Sequence, residues 1–259
     1  MKRLRLLATK ASARRDEGVY LLEGPTLVGD ALAAGVPVAE LFVEADAEAG
    51  LVARARAAGI AVVEVAPGGL RGVVDVVSPQ PVAAVLPRPV AALAPALAGT
   101  DFVLVLVDVG DPGNVGTILR TAEAAGAGAV VCCGTTADPF APKVVRASAG
   151  AVLRLPIVTG VDQAAALAAA GGAGLRRVAT TVDAAPAYDA LDLCRPVALV
   201  FGNEARGLAI GSGGAGQEGI DDLVTIPMAG RSESLNVAMA AAVLSFEVLR
   251  QRRTGSGPR

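Results

Sequence analysis

Three loops in the second half of the chain concentrate its chemistry, and each directly follows an apolar, strand-like run. After "FVLVLVDVG" comes "DPGNVGTILRTA"; after "PVALVFG" comes "NEARGL"; after "DLVTIPM" comes "AGRSESLNVA". Among their polar side chains, the candidates for chemistry are Asn114 and Arg120, then Asn203 and Glu204, then Ser232, Ser234 and Asn236. These seven candidates comprise three amides, two hydroxyls, the Glu204 carboxylate and the Arg120 guanidinium, a fork-shaped cation that stays protonated. There is no histidine anywhere in the chain. Ser-His-Asp and Cys-His nucleophiles, His-ligated metals and the usual general base are therefore excluded.

Taken singly, each loop has an ordinary structural reading beside a functional one. In the first, Gly113 and Gly116 free the backbone to approach a ligand, Asn114 stands at a helix N-cap, and Arg120 follows six residues on. A capped helix with a surface arginine would look the same. The spacing of Gly110, Gly113 and Gly116 is not G-x-G-x-x-G and no acid is placed to hold a ribose, which argues against a dinucleotide cradle. In the second, Gly202-Asn203-Glu204 sets a carboxylate after a buried strand, with Gly207 three residues on; Asn203 could equally cap a plain turn. In the third, Ser234 as N-cap would open the apolar helix "LNVAMAAAVLSFEVL", leaving Asn236 costly inside that helix without a partner.

The elements that must position these loops form two α/β series. From 19 to 86, strand-like runs ("VYLLE", "ELFVE", "IAVVEV", "PVAAVL") alternate with helix-like ones ("PTLVGDALAAG", "AEAGLVARARAAG", "PGGLRGVVDVV"). The proline-rich stretch 87–100 reads as a linker, with a domain boundary at 92/93. After it the pattern predicts strands at 102–108, 129–133, 155–158, 177–181, 197–201 and 223–226. Helices are predicted from about 114 to 125 and at 143–149, 162–170 and 235–250. Continuous apolar strands separated by helices imply a parallel sheet covered on both faces, with ligands at the carboxyl ends of its strands. The glycine-rich stretch 211–219 reads as a surface insertion.

Composition narrows the class. The 259 residues are 53% hydrophobic, 19% charged and only 3% aromatic, without tryptophan, so the core is aliphatic and stacking platforms for nucleobases are scarce. Net charge is −2, yet Lys2, Arg3, Arg5, Lys10, Arg14 and Arg15 crowd the first fifteen residues with no acid among them. That run reads either as a solvated N-terminus or as a phosphate-binding arm. Cys132, Cys133 and Cys194 form no CxxC and no even disulfide set, which suits buried thiols in a reduced compartment. No signal core and no uninterrupted apolar stretch of about 18 residues is present, so a soluble, cytoplasmic protein without metal is expected.

The three loops together are far more specific than any one. The succession N-x-G-x-x-x-R-T-A, F-G-N-E-x-x-G-L and I-P-M-x-G-x-x-x-S-L-N-V-A-x-A resembles the three motifs of the SPOUT superfamily, specifically the SpoU (TrmH-like) RNA ribose 2'-O-methyltransferases. The matching residues are Asn114, Gly116, Arg120, Thr121 and Ala122; then Phe201, Gly202, Asn203, Glu204, Gly207 and Leu208; then Ile226, Pro227, Met228, Gly230, Ser234, Leu235, Asn236, Val237 and Ala238. The resemblance covers about 102–250, and "KVVRASAGAV" (143–152) resembles the segment such proteins carry between the first two motifs. The opening "RRDEGVYLLEGPTLVGDAL" is similar to the ribosomal-protein-L30e-like substrate-binding domain found ahead of many members.

The resemblance implies an α/β fold: an RNA-binding domain at 1–92 and, at 93–259, a parallel-sheet methyltransferase domain with a deep trefoil knot, an exception to unthreaded topology. It implies S-adenosylmethionine as cofactor, held by Phe201, Gly202, Asn203, Glu204, Gly207, Ile226, Met228, Ser234, Leu235 and Asn236. It implies a catalytic group of Arg120, Asn114, Glu204, Ser234 and Asn236, and RNA contacts at Lys10, Arg14, Arg15 and Arg120. It also implies a homodimer and a substrate that is an RNA, with large-subunit ribosomal RNA favoured over tRNA; a non-catalytic RNA-binding protein on the same fold is the remaining alternative. Methyl transfer from a sulfonium needs an oriented oxygen nucleophile more than a strong base, which accommodates a chain without histidine.

Overall fold

The computed structural model describes residues 1–45, 47–71, 73, 80–181, 186–203, 208, 219–232 and 234–255. Its elements run α1 (Lys2–Thr9), α2 (Ala11–Asp16), β1 (Val19–Glu23), α3 (Pro25–Ala33), β2 (Glu40–Val43), α4 (Ala49–Ala57), β3 (Ala61–Glu64) and β4 (Val82–Pro87). They continue with α5 (Leu93–Leu97), β5 (Phe102–Val107), α6 (Pro112–Ala124), β6 (Ala129–Cys133), α7 (Pro142–Ala147), β7 (Ile157–Val161) and α8 (Gln163–Gly172). The last are β8 (Arg176–Thr180), β9 (Val197–Phe201), β10 (Asp222–Val224) and α9 (Val237–Thr254).

The chain divides into two compact units: Met1–Pro89 with Asp138–Leu153, and Val90–Ala137 with Arg154–Arg259. The first unit carries a four-stranded sheet in the order β1-β4-β2-β3, antiparallel except for the β2–β3 pair. Its N-terminus is not a solvated tail. Leu4 is 1% exposed and, with Leu7, joins Leu21, Phe42, Val85 and neighbours in the unit's core, because α1 places them three residues apart on one face. Two of the six basic residues there are paired with acids of the same unit. Arg3 bonds Glu17 at 2.6 Å and also Glu40, while Arg14 is held by Asp138. The helix expected over 67–77 falls largely outside the described residues; 67–71 form turns and a single bridge.

The second unit is the parallel sheet the apolar runs predict, in the order β10-β8-β9-β5-β6-β7 with every pairing parallel. β5, β6 and β9 are buried along their whole length, as a sheet covered on both faces requires. Alternate side chains of β5, Val103, Val105 and Val107, enter one core layer with Ala166, Leu167 and Ala170 of α8. The region expected to be a linker is instead ordered: Val90 bridges to Ile157 and α5 spans Leu93–Leu97, with Leu97 in that same core. Its prolines are tolerated because they fall at the end of β4 and inside the first turn of α5, where missing N–H donors cost little. The chain leaves β5 toward β6 and β7 on one side, while β9 returns to pair with β5 on the other. The carboxyl ends of β5, β6 and β9 are thereby neighbours, the place where open α/β sheets bind ligands.

Candidate active site

The first loop turns into α6 two residues earlier than the spacing predicts. Asp111, not Asn114, is the N-cap: its side chain accepts from the Asn114 backbone N–H at 2.9 Å, and Pro112 fills the first helical position. Asn114 is therefore released from capping. Its side-chain Oδ1 instead accepts from Asn236 Nδ2 at 3.0 Å, joining the first loop to the third. Arg120 stands six residues further along α6, about 9 Å up the axis at 1.5 Å per residue, with its side chain exposed. It makes no ion pair or hydrogen bond with any other described residue.

At α9 the cap likewise differs from the expected one. Asn236 is the N-cap rather than a residue inside the helix: its Oδ1 accepts from Ala238 N at 2.8 Å. Its amide is thus used twice, oxygen to the helix and nitrogen to Asn114, and as an exposed cap residue it does not carry the desolvation cost of an unpartnered interior asparagine. The two bonds also orient the amide, since a reversed side chain would lose both. Ser234, freed from the cap, and Leu235 lie exposed just before it.

The second loop leaves β9 from a fully buried Phe201 through Gly202 to Asn203, both half-buried. Asn203 Nδ2 donates to the carbonyl of Asp108 at 2.9 Å, tying the β9 exit to the β5 exit. Glu204 and Gly207 lie outside the described residues, so of the sequence-predicted carboxylate nothing is said. The buried thiol of Cys133 at the end of β6 is pushed up to about 12, chiefly by desolvation and then by the negative charges of Asp162 and Asp108. It is a core hydrophobe, not a nucleophile. Among the described residues no group of three or more Cys, Asp or Glu is placed to hold a metal.

The residues present suit S-adenosylmethionine. Between β10 and α9, Met228 is 37% and Leu235 38% exposed, and Ile226 is half-buried, apolar surface suited to a flat purine ring. The stretch 227–232 and 234–236 is exposed wherever it is described. A Cβ placed on Gly230 would meet nothing within 4 Å, so open space adjoins that stretch.

Of the three basic residues predicted to face RNA in the first unit, Lys10 and Arg15 are exposed. Arg14 is 3% exposed, and its guanidinium donates inward, to Asp138 Oδ2 at 2.8 Å and to the Leu7 carbonyl at 2.6 Å. Its donors are committed to holding 138–153 against the α1–α2 turn. Sequence inspection missed this, and missed Asp108 and Asp111, because an acid's distant partner leaves no local pattern.

Residues 101–246 match the SpoU rRNA Methylase family and residues 1–84 match the MRM3-like substrate binding domain. The chain belongs to the SpoU rRNA methylase family. This SpoU methylase is 32% identical over 240 residues to the Bacillus subtilis 23S rRNA (guanosine(2553)-2'-O)-methyltransferase RlmP, covering 91% of this chain and 90% of that one. The AdoMet-bound rRNA methyltransferase from Sinorhizobium meliloti superposes with a TM-score of 0.85 at 32% identity, covering 96% of this chain and 94% of that one. The SpoU methyltransferase AviRb from Streptomyces viridochromogenes, in complex with AdoMet, gives a TM-score of 0.85 at 29% identity, covering 98% of each chain. The SpoU methylase described here is accordingly an enzyme, an RNA methyltransferase that uses S-adenosylmethionine.

Proposed function

We propose that the chain methylates a ribose 2'-hydroxyl of large-subunit (23S) ribosomal RNA, at the site where the loops after β5 and β9 and the start of α9 converge. The observation that carries this reading is the Asn236–Asn114 hydrogen bond, which brings the third motif onto the start of α6, the helix that also carries the exposed Arg120. The whole-length likeness to rRNA enzymes, first unit included, favours ribosomal over transfer RNA.

When bound, the cofactor supplies an electrophilic methyl group on a sulfonium sulfur. Phe201, Gly202, Asn203, Glu204, Gly207, Ile226, Met228, Ser234, Leu235 and Asn236 are the residues proposed to hold it. Arg120 does not act as a base, because a guanidinium keeps its proton at neutral pH. It orients the hydroxyl and an adjacent phosphate through its planar fork and stabilises the charge that develops on the attacking oxygen. Asn114, Glu204, Ser234 and Asn236 hold Arg120 and the nucleotide in register. Residues 1–92 read the RNA, with Lys10 and Arg15 contacting phosphates, and 93–259 perform the transfer. A deep trefoil knot through the loops at 201–208, 225–230 and 234–236 accompanies this arrangement; what supports it is the match of residues 101–246 to the SpoU rRNA Methylase family.

The enzyme works as a cytoplasmic homodimer through α9. Met239 and Phe246, 52% and 48% exposed, lie seven residues apart on one stripe of that helix with half-buried Val243 between them. An apolar face of that kind suits a two-fold contact. The doubly substituted Met239→Glu/Phe246→Glu chain should sediment as a monomer where the wild type sediments as a dimer. The function itself is tested by incubating the protein with methyl-labelled cofactor and either 23S rRNA or tRNA, then mapping the label. Label on a 23S ribose supports the reading, and label confined to tRNA or to a base sinks it.

A further inference from the structure

Asp108 and Ala149 are the two non-glycine residues with left-handed backbone among those described, Asp108 at φ 55°. That region costs an L residue on the order of 1 kcal/mol, least for Asp and Asn, and persists where surrounding contacts over-determine it. At Asp108 the contacts come from two other strand ends. Its carboxylate Oδ1 accepts from Thr135 N at 2.7 Å and from Thr135 Oγ1 at 2.8 Å, just past β6. Its carbonyl accepts from Asn203 Nδ2 at 2.9 Å, just past β9. The next residue continues the tie, Val109 O accepting from Ala137 N at 2.9 Å. Gly134, at φ +60°, faces the carboxylate so closely that a Cβ there would come within 2.3 Å of Oδ1. Three adjacent strand exits meet at one side chain and its carbonyl, three residues before the Asp111 cap from which α6 carries Asn114 and Arg120.

We infer that Asp108 is a positioning residue of the methyltransferase site. Its carboxylate locks the β6 loop, its left-handed turn presents the carbonyl to Asn203, and the exit of β9 is thereby fixed to the segment that leads into α6. The inference rests on the proposed assignment of the β9 loop to the cofactor. It requires an acceptor oxygen and a residue at ease with positive φ: asparagine supplies both, whereas alanine has no side-chain acceptor and enters that region at greater cost.

The test compares wild type, Asp108→Asn and Asp108→Ala by calorimetric S-adenosylmethionine binding, single-turnover methylation of 23S rRNA and thermal melting. Asp108→Ala should weaken cofactor binding by about 10- to 100-fold, the scale of hydrogen bonds to a charged group. Asp108→Asn should stay within about three-fold of wild type on both readouts, a rescue that a role in proton transfer would not allow. Wild-type affinity in Asp108→Ala overturns the inference. So does an Asp108→Asn protein that binds cofactor normally yet has lost methylation, because the carboxylate would then do chemistry. If Asp108→Ala does not fold, Thr135→Val removes one donor and leaves the backbone intact. It should weaken binding several-fold with little change in melting, and unchanged binding there overturns the inference. A wild-type protein that binds no S-adenosylmethionine sinks the cofactor assignment and this inference with it; failure in the variants alone sinks only the role of Asp108.

Discussion

Asn236 donates from Nδ2 to Asn114 Oδ1 at 3.0 Å while its own Oδ1 caps α9 through Ala238 N at 2.8 Å. One amide therefore both starts a helix and joins two motifs separated by 122 positions. The two duties separate by substitution. Asn236→Asp keeps an excellent cap but sets a carboxylate oxygen against the Asn114 oxygen, so it should melt near wild type and methylate at least 10-fold more slowly. Asn236→Ala should in addition lose about 1 kcal/mol of stability. Melting curves beside single-turnover rates check both; equal methylation by wild type and Asn236→Asp would refute the joining role.

Arg120 stands exposed on α6. Arg120→Ala should lower single-turnover methylation by roughly 10² or more, the scale of removing one transition-state donor, with S-adenosylmethionine affinity and melting temperature unchanged. Arg120→Lys should recover only part, since an ammonium lacks the planar fork. Near-normal methylation by the alanine variant would show that the assignment is wrong.

Arg14 and Arg15 are adjacent in sequence and opposite in duty. Arg14→Ala leaves the Asp138 carboxylate without its 2.7 Å partner and should destabilise the protein by about 3 kcal/mol, as breaking a buried pair does. Arg15→Ala should leave stability alone, weaken RNA binding and reduce the slope of log K against log salt by about one. Denaturant titration and filter binding at several salt concentrations distinguish them. A salt slope unchanged in Arg15→Ala removes it from the RNA interface.

Glu247 on α9 is held below the usual carboxylate range, first by hydrogen bonding from Arg250 and also by Gln251, against a smaller opposing desolvation. A folded-state pKa below the unfolded one means the unfolded chain binds the proton more readily. The stability this contributes is present above the unfolded value, near 4.3 for glutamate, and is lost as pH falls through the folded one. Glu247→Gln should therefore lower stability at pH 7 and flatten its fall toward acid. Urea midpoints at neutral and acid pH decide the matter; a variant with the wild-type acid slope contradicts it.

Much of the fold was legible along the chain because burial on both faces writes itself locally. "FVLVLV", "AVVCC" and "VALVF" are short, rich in valine and closed by a nearby glycine, which favours parallel-sheet interior over helix, and they became β5, β6 and β9. The three motif loops were legible together rather than singly: each alone reads equally well as a capped turn, and only their order pointed to the family. Helix starts were less so. Asp111 and Asn114, or Ser234 and Asn236, are interchangeable as caps by propensity, and which one caps depends on what else each amide can reach. The basic run at the N-terminus was ambiguous for a similar reason, because Leu4 and Leu7 acquire a core to enter only when β1 and β4 are beneath them.

What the amino-acid order determined by itself, then, is the succession of elements, the parallel core and the residue types offered at its carboxyl edge, all consequences of short-range periodicity and backbone preference. What only the tertiary structure decided is which distant groups share a hydrogen bond: Asn236 with Asn114, Asn203 and Thr135 with Asp108, and Arg14 with Asp138. The half-buried Asn203 and the buried Arg14 must find partners because they are taken out of water. The exposed Asn236 and Thr135 meet theirs because strand ends and a helix start are brought together. In every case the fold, not the neighbour in sequence, supplies the partner.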